Sequence, residues 1–232
     1  MGFKLNIEGT LQSRLNRSIF ATAKRLLPQP MVRELQEYRA YGPDERPIYL
    51  KIRMLKQFRF SKPQRPEVAM ARSVLFVCFG NIMRSPMCEA LMNRALTSLG
   101  NRELIVKSAG LNAVPGTPAH PWAVEAAKDF GISLEGHRAQ SLTSEMVSRA
   151  DVIFAMDYQN HVRLLSRWVT PKKTICMLSA YAGPDYLSAE IRDPYYLDLE
   201  GTRICYRTLN SCIQNLARAI SETTQADVPG PL

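Results

Sequence analysis

The chain has 232 residues, 46% of them hydrophobic and 22% charged, with 12 Gly and 15 Pro. That composition excludes wholesale disorder, a collagen-like repeat and a long coiled coil, and the length suits one main core with an appendage. The formal net charge is +9, and all of the excess lies in the first third: residues 1–72 hold 15 Lys+Arg against 6 Asp+Glu, and residues 73–232 hold 15 of each.

The chain begins Met1-Gly2-Phe3-Lys4-Leu5-Asn6, without the continuous apolar core of a signal peptide and with Asn6 where a myristoylation motif needs Ser or Thr. The longest charge-free run, Ser108 to Val124, is broken by Pro115, Pro118 and Pro121 and does not read as a membrane span. A cytoplasmic protein is expected. Pro28-Gln29-Pro30, Gly42-Pro43-Asp44 and Lys62-Pro63-Gln64-Arg65-Pro66 punctuate the basic segment, so residues 1–71 read as an extension of short elements ending in a linker. Within it Leu11, Leu15, Ile19, Phe20, Leu26 and Leu27 approximate helical spacing, with Arg14, Arg17, Lys24 and Arg25 as basic neighbours. Such a stretch can pack on its own domain, or dock on a protein or an anionic membrane surface, which would make the protein membrane-peripheral. Nucleic acid is not expected, because stacking aromatics and a recognition signature are missing. Residues 47–60 alternate and then drift, leaving strand and helix open.

From residue 73 the texture changes. Ser73 to Cys78 is short, apolar and rich in β-formers, as for a strand buried on both faces of a parallel sheet. In the loop that follows, Gly80 and Asn81 tolerate left-handed backbone, Ser85 is a good helix N-cap and Pro86 suits the first helical position. A helix is predicted to about Leu99, stopped by Gly100. Strand, tight loop and helix N-terminus together make a concave anion site. Cys78 enters that loop where its donors and the helix dipole favour a thiolate, and Arg84 can grip two oxygens of a tetrahedral oxyanion. The Gly-Lys-Ser/Thr of nucleotide-hydrolysing loops is not there.

The segment Val77-Cys78-Phe79-Gly80-Asn81-Ile82-Met83-Arg84-Ser85-Pro86 resembles the Cys-x5-Arg-Ser signature of the low-molecular-weight protein tyrosine phosphatases. The resemblance extends through Ser108-Ala109-Gly110, Gly136-His137-Arg138 and Asp193-Pro194-Tyr195-Tyr196, and covers about residues 72–222. It implies a phosphate-monoester phosphatase with Cys78 as nucleophile, Arg84 and the loop as oxyanion clamp, and Asp193 as the acid and base of a cysteinyl-phosphate mechanism. It further implies that Ser85 stabilises the sulfur, Asn81 holds the loop's left-handed turn, His137 braces the loop, and Tyr195 and Tyr196 flank the entrance of a flat substrate. Phosphotyrosine proteins would be the substrates, and a tyrosine kinase in surface-polysaccharide export a partner. Many members carry a second cysteine where this chain has Met83, so peroxide is expected to oxidise Cys78 without a Cys78–Cys88 bridge.

Further strands are predicted at 104–108, 151–155 and 173–178, with helices at 122–130, 158–168 and about 199–221 and a tail from 223 to 232. The fold expected is α/β, a doubly wound parallel sheet of about four strands with helices on both faces. Five irregularly spaced cysteines suit reduced thiols, Cys88, Cys205 and Cys212 read as core, and His120 and His161 as surface or loop residues. No metal or cofactor is expected. Two rivals stand beside the phosphatase: an arsenate reductase, which needs a relay cysteine that residues 130–150 do not contain, and a non-catalytic phospho-ligand binding module.

Overall fold

Strand β1 (Ser73–Cys78) is buried at every position after Ser73, because both faces of the sheet it centres are covered. Val74, Phe76 and Cys78 join one apolar cluster, and Leu75 and Val77 join another. This is why the sequence there is continuously apolar instead of alternating. The computed structural model describes residues 35–57, 65–100, 103–168, 174–186 and 188–226. Its four strands are β1, β2 (Ile105–Gly110), β3 (Val152–Ala155) and β4 (Thr174–Met177), all parallel in the order β2-β1-β3-β4. The register pairs Cys78 with Gly110 and Val77 with Ala155, so the carboxyl ends of the three strands meet at one edge.

Contacts divide the chain into two units, Met1–Tyr49 and Leu50–Leu232. Helix α1 (Arg46–Gln57) takes in residues 47–57 of the stretch whose pattern left strand and helix open; Arg46, Ile48–Tyr49 and Ile52–Arg53 are its less exposed positions, a helical period. In the first unit Tyr49 packs on Tyr41 and Tyr38, with ring centroids 4.7 and 6.3 Å away, and Arg46 lies over the Tyr38 ring. The amphipathic stretch expected between Leu11 and Leu27 lies outside the described residues.

In the second unit α2 (Arg84–Ser98), α3 (Pro121–Lys128) and α6 (Leu199–Ala226) cover the Phe76 face, while α4 (Ser144–Arg149) and α5 (Tyr158–Trp168) cover the Leu75 face. The expected doubly wound α/β architecture is thus the one observed. At the centre Phe76 stacks on Phe154 with centroids 5.6 Å apart, and Tyr181 meets Phe154 edge-on. Helix α6 continues to Ala226, beyond the end read from the sequence. Residues before β1 also join this core: Val68 is buried in it, Tyr181 Oη donates to Pro66 O at 3.0 Å, and Arg65 Nε donates to Ala180 O at 3.1 Å. Among the described residues no helix is long and apolar enough to cross a membrane.

Candidate active site

The loop between β1 and α2 is shaped by one residue in left-handed backbone, Asn81, with φ +53°. Gly80, which could have shared that turn, does not adopt a positive φ. A buried asparagine must place every polar atom, and Asn81 does. Its Nδ2 donates to Ser85 Oγ and to Ser108 Oγ, both at 2.9 Å, its Oδ1 accepts from Gln140 N at 2.9 Å, and its carbonyl meets His137 Nε2 at 2.7 Å. These contacts tie the loop to β2 and to the segment before α4. Gly110 lets β2 approach so closely, since a Cβ there would lie 2.8 Å from Phe79 O and 2.9 Å from Asn81 N.

The network has a direction. Ser85 Oγ accepts from Asn81 and lies 3.0 Å from Cys78 Sγ and 3.3 Å from Ala109 O, so its one proton has the sulfur and that carbonyl as acceptors; Asn81 N donates to Cys78 Sγ at 3.2 Å. Ser108 Oγ likewise accepts from Asn81 and donates onward to Glu89 Oε2 at 2.6 Å. Ser85 is therefore not the N-cap expected of it. Helix α2 starts one residue before it, Met83 occupies the cap position, and no side chain caps the helix; the Ser85 hydroxyl sits within the first turn, facing Cys78 Sγ and Ala109 O. The amides of the first turn are left to meet an anion.

Arg84 is 1% exposed. Its Nη1 donates to Asp157 Oδ2 at 2.6 Å and to Ile191 O at 2.9 Å, and its Nη2 pairs with Asp193 Oδ2. Burial opposes the charge, but the carboxylates of Asp157 and Asp193 and the sulfur of Cys78 outweigh it and hold the guanidinium above its ordinary pKa. Asp157 was not singled out from the sequence. Its signal was position: it follows β3 by two residues, at the strand end where ligands gather in such sheets. Asp157 Oδ1 also accepts from Asn160 N at 2.7 Å, which fixes its orientation. Glu89 and Gln140 went unnoticed for the same reason, their partners lying far along the chain.

One cavity brings together Cys78, Phe79, Gly80, Ile82, Met83, Arg84, Asp193, Tyr195 and Tyr196, with Asn112, Val114 and Thr117 on the opposite wall. Asn81 and Ser85 are buried beneath it. Tyr196 is 90% exposed, Tyr195 46%, and Phe79 37%, making an aromatic rim, with Arg163 stacked over the Phe79 ring. The arrangement can seat a tetrahedral anion against a nucleophilic sulfur, with an apolar collar for a flat substituent.

His120 lies in the loop before α3, as expected, where it caps α3 and meets Trp122 and Tyr195 edge-on. His161 differs from expectation: it lies within α5 with Nε2 3.3 Å from Ile175 O, a partner distant in sequence. Cys88, Cys205 and Cys212 are core residues. Burial pushes the Cys205 and Cys212 thiols up to about 12 and that of Cys88 well above its ordinary value.

A family profile described as low molecular weight phosphotyrosine protein phosphatase matches residues 73–226. The probable low molecular weight protein-tyrosine-phosphatase EpsP of Ralstonia nicotianae is 41% identical over 126 residues, 54% of this chain and 80% of that protein. The protein-arginine-phosphatase of Bacillus subtilis is 31% identical over 157 residues, 66% of this chain and 97% of that one. The crystal structure of the tyrosine phosphatase AmsI of Erwinia amylovora superposes with a TM-score of 0.58 at 32% identity, covering 67% of this chain and 97% of that one.

Proposed function

Since the chain belongs to the low molecular weight phosphotyrosine protein phosphatases, cysteine-dependent enzymes, we propose that it hydrolyses phosphotyrosine in protein substrates through a phosphorylated Cys78. The observation that carries this reading is the meeting of Cys78 Sγ, the Arg84 guanidinium and the Asp193 carboxyl in one cavity at an uncapped helix N-terminus. Cys78 Sγ attacks phosphorus, and the ester P–O bond breaks. The phenolate oxygen takes its proton from Asp193, which can then, as carboxylate, take one from the water that displaces sulfur and releases phosphate. Arg84 and the amides at the start of α2 hold the charge on the equatorial oxygens throughout. An entering phosphate competes with Asp193 for Arg84 Nη2, turning the carboxyl toward the leaving oxygen, while Asp157 keeps Nη1 in place. Phe79, Gly80, Asn81, Ile82, Met83 and Ser85 form the cradle, His137 braces it through the Asn81 carbonyl, and Tyr195 and Tyr196 guide the substrate.

A phosphotyrosine ring suits the collar of Ile82, Val114, Tyr195 and Tyr196 better than the cationic side chain of phosphoarginine would, because no carboxylate other than Asp193 lines it. The domain plan proposed is a basic extension over 1–71, a catalytic domain over 72–222 and a tail over 223–232. The extension, with its excess of Lys and Arg, docks on a protein or an anionic surface, the protein is cytoplasmic, and a tyrosine kinase is its counterpart. The test is turnover of p-nitrophenyl phosphate, a phosphotyrosine peptide and a phosphoarginine peptide by the wild type and Cys78→Ser. Preferred hydrolysis of phosphotyrosine, lost in the variant, is expected. Phosphate binding without turnover would mean a binding module, preference for phosphoarginine would displace the substrate, and arsenate-driven thiol oxidation without turnover would mean a reductase.

A further inference from the structure

His120 takes no part in that chemistry, yet it touches three pieces of the site. Its main-chain N–H donates to Ile82 O in the phosphate loop at 3.0 Å. Its Nδ1 accepts from Trp122 N at 3.2 Å, capping α3 and fixing the ring plane. The ring then meets Tyr195 edge-on, with centroids 5.7 Å apart and planes at 66°. Tyr195 in turn donates its N–H to Asp193 Oδ1 at 3.2 Å. We propose that His120 is a positioning residue: its ring carries the register of the phosphate loop to the Asp-Pro loop through Tyr195 and so sets where the Asp193 carboxyl reaches. This rests on Asp193 being the proton donor.

The geometry separates this role from capping alone. An N-cap needs only an acceptor reaching the amides of the first turn, which Asn or Asp supplies with a short side chain. A histidine adds a ring, and here the ring lies against the one residue whose amide holds the carboxyl. The same ring also meets Trp122 edge-on at 5.2 Å, so swinging the imidazole away would lose two aromatic contacts as well as the cap. Burial lowers the His120 pKa, the direction that favours the unprotonated Nδ1 the cap uses as acceptor.

The experiment compares kcat/KM for a series of aryl phosphates whose leaving phenols differ widely in pKa, because only proton donation makes that dependence shallow. Asp193→Ala steepens it. His120→Asn, which keeps a capping acceptor and removes the ring, should steepen it in the same sense, losing about 3- to 10-fold on the poorest leaving groups, the size of one aromatic edge contact, with the best leaving group little changed. His120→Phe keeps the ring edge, so it should retain the wild-type dependence even though its Tm falls. Tyr195→Leu, which cuts the same contact from the other side, should steepen the dependence as His120→Asn does, and because Tyr195 also lines the entrance its KM should rise for every member of the series. A wild-type dependence in both His120→Asn and Tyr195→Leu, or equal steepening in His120→Phe and His120→Asn, overturns the inference while leaving the phosphatase intact. An unchanged dependence in Asp193→Ala removes the proton donor itself, and the inference with it.

Discussion

The guanidinium of Arg84 is shared by two carboxylates and the Ile191 carbonyl, and it is nearly without solvent. A buried charge so arranged stays in place when one partner leaves, because the other still compensates it. Asp193→Ala is therefore expected to keep competitive inhibition by phosphate while kcat falls by about 10²- to 10⁴-fold, the range for one general acid–base group; loss of phosphate inhibition in that variant would show Asp193 to be structural. A second expectation concerns sulfur. Peroxide takes Cys78 to a sulfenic acid, and burial raises the pKa of the Cys88, Cys205 and Cys212 thiols, which makes them poor attackers of it. With Met83 where relatives can carry a cysteine, mass mapping should find sulfenic and higher oxides on Cys78, and a dominant Cys78–Cys88 disulfide would contradict this. The loop's chemical residues were legible because they lie within eight positions of one another, Cys78 to Ser85. Asp157, Glu89 and Gln140 were not, since nothing local marks a carboxylate or amide that acts across the sheet.

At the scale of elements, the same two-faced burial that made β1 easy to read also fixes its register, since Cys78 must end level with Gly110 for the loop to close over β2. The start of α2 was misread for a reason of chemistry. Serine before proline is a good cap, but the helix begins at Arg84, Met83 takes the cap position, and the Ser85 hydroxyl lies inside the first turn among Asn81 Nδ2, Cys78 Sγ and Ala109 O, leaving α2 without a side-chain cap. Helix α5 carries a measurable pH dependence. Burial lowers the His161 pKa from its ordinary 6.5, opposed by its hydrogen bond to the Ile175 carbonyl, so the unfolded chain binds the proton more readily than the folded one. The stability that neutral His161 gives is present in full above 6.5 and is lost as pH falls through the lowered folded value. Denaturant midpoints of His161→Gln should fall less steeply than those of the wild type below 6.5, and parallel curves would show that His161 binds its proton equally in the folded and unfolded states.

For the molecule as a whole, the separation of charge into a basic first third and a neutral remainder suggests separable roles. The core of the catalytic unit reaches back to Arg65, Pro66 and Val68, so a chain shortened at residue 64 should keep its kcat/KM on p-nitrophenyl phosphate. Its binding to phosphatidylserine-containing vesicles or to a protein partner should weaken, and the binding of the full chain should fall with added salt, as screening of exposed charge requires. Equal, salt-insensitive binding by both chains would remove the docking role of the extension.

The sequence by itself determined the parallel α/β class, the strand, loop and helix that carry Cys78 and Arg84, and the residue types proposed as nucleophile, clamp and acid. These are properties of local pattern: an apolar run, a loop, and a signature within a few residues. Only the tertiary structure decided that Arg84 is held from both sides, that Ser85 lies inside α2 beside the sulfur and does not cap the helix, and that His120 lies against the segment bearing Asp193. Each of those depends on groups brought together from 7 to 109 positions apart, and sequence spacing alone does not specify the direction in which a side chain turns once several partners are within reach.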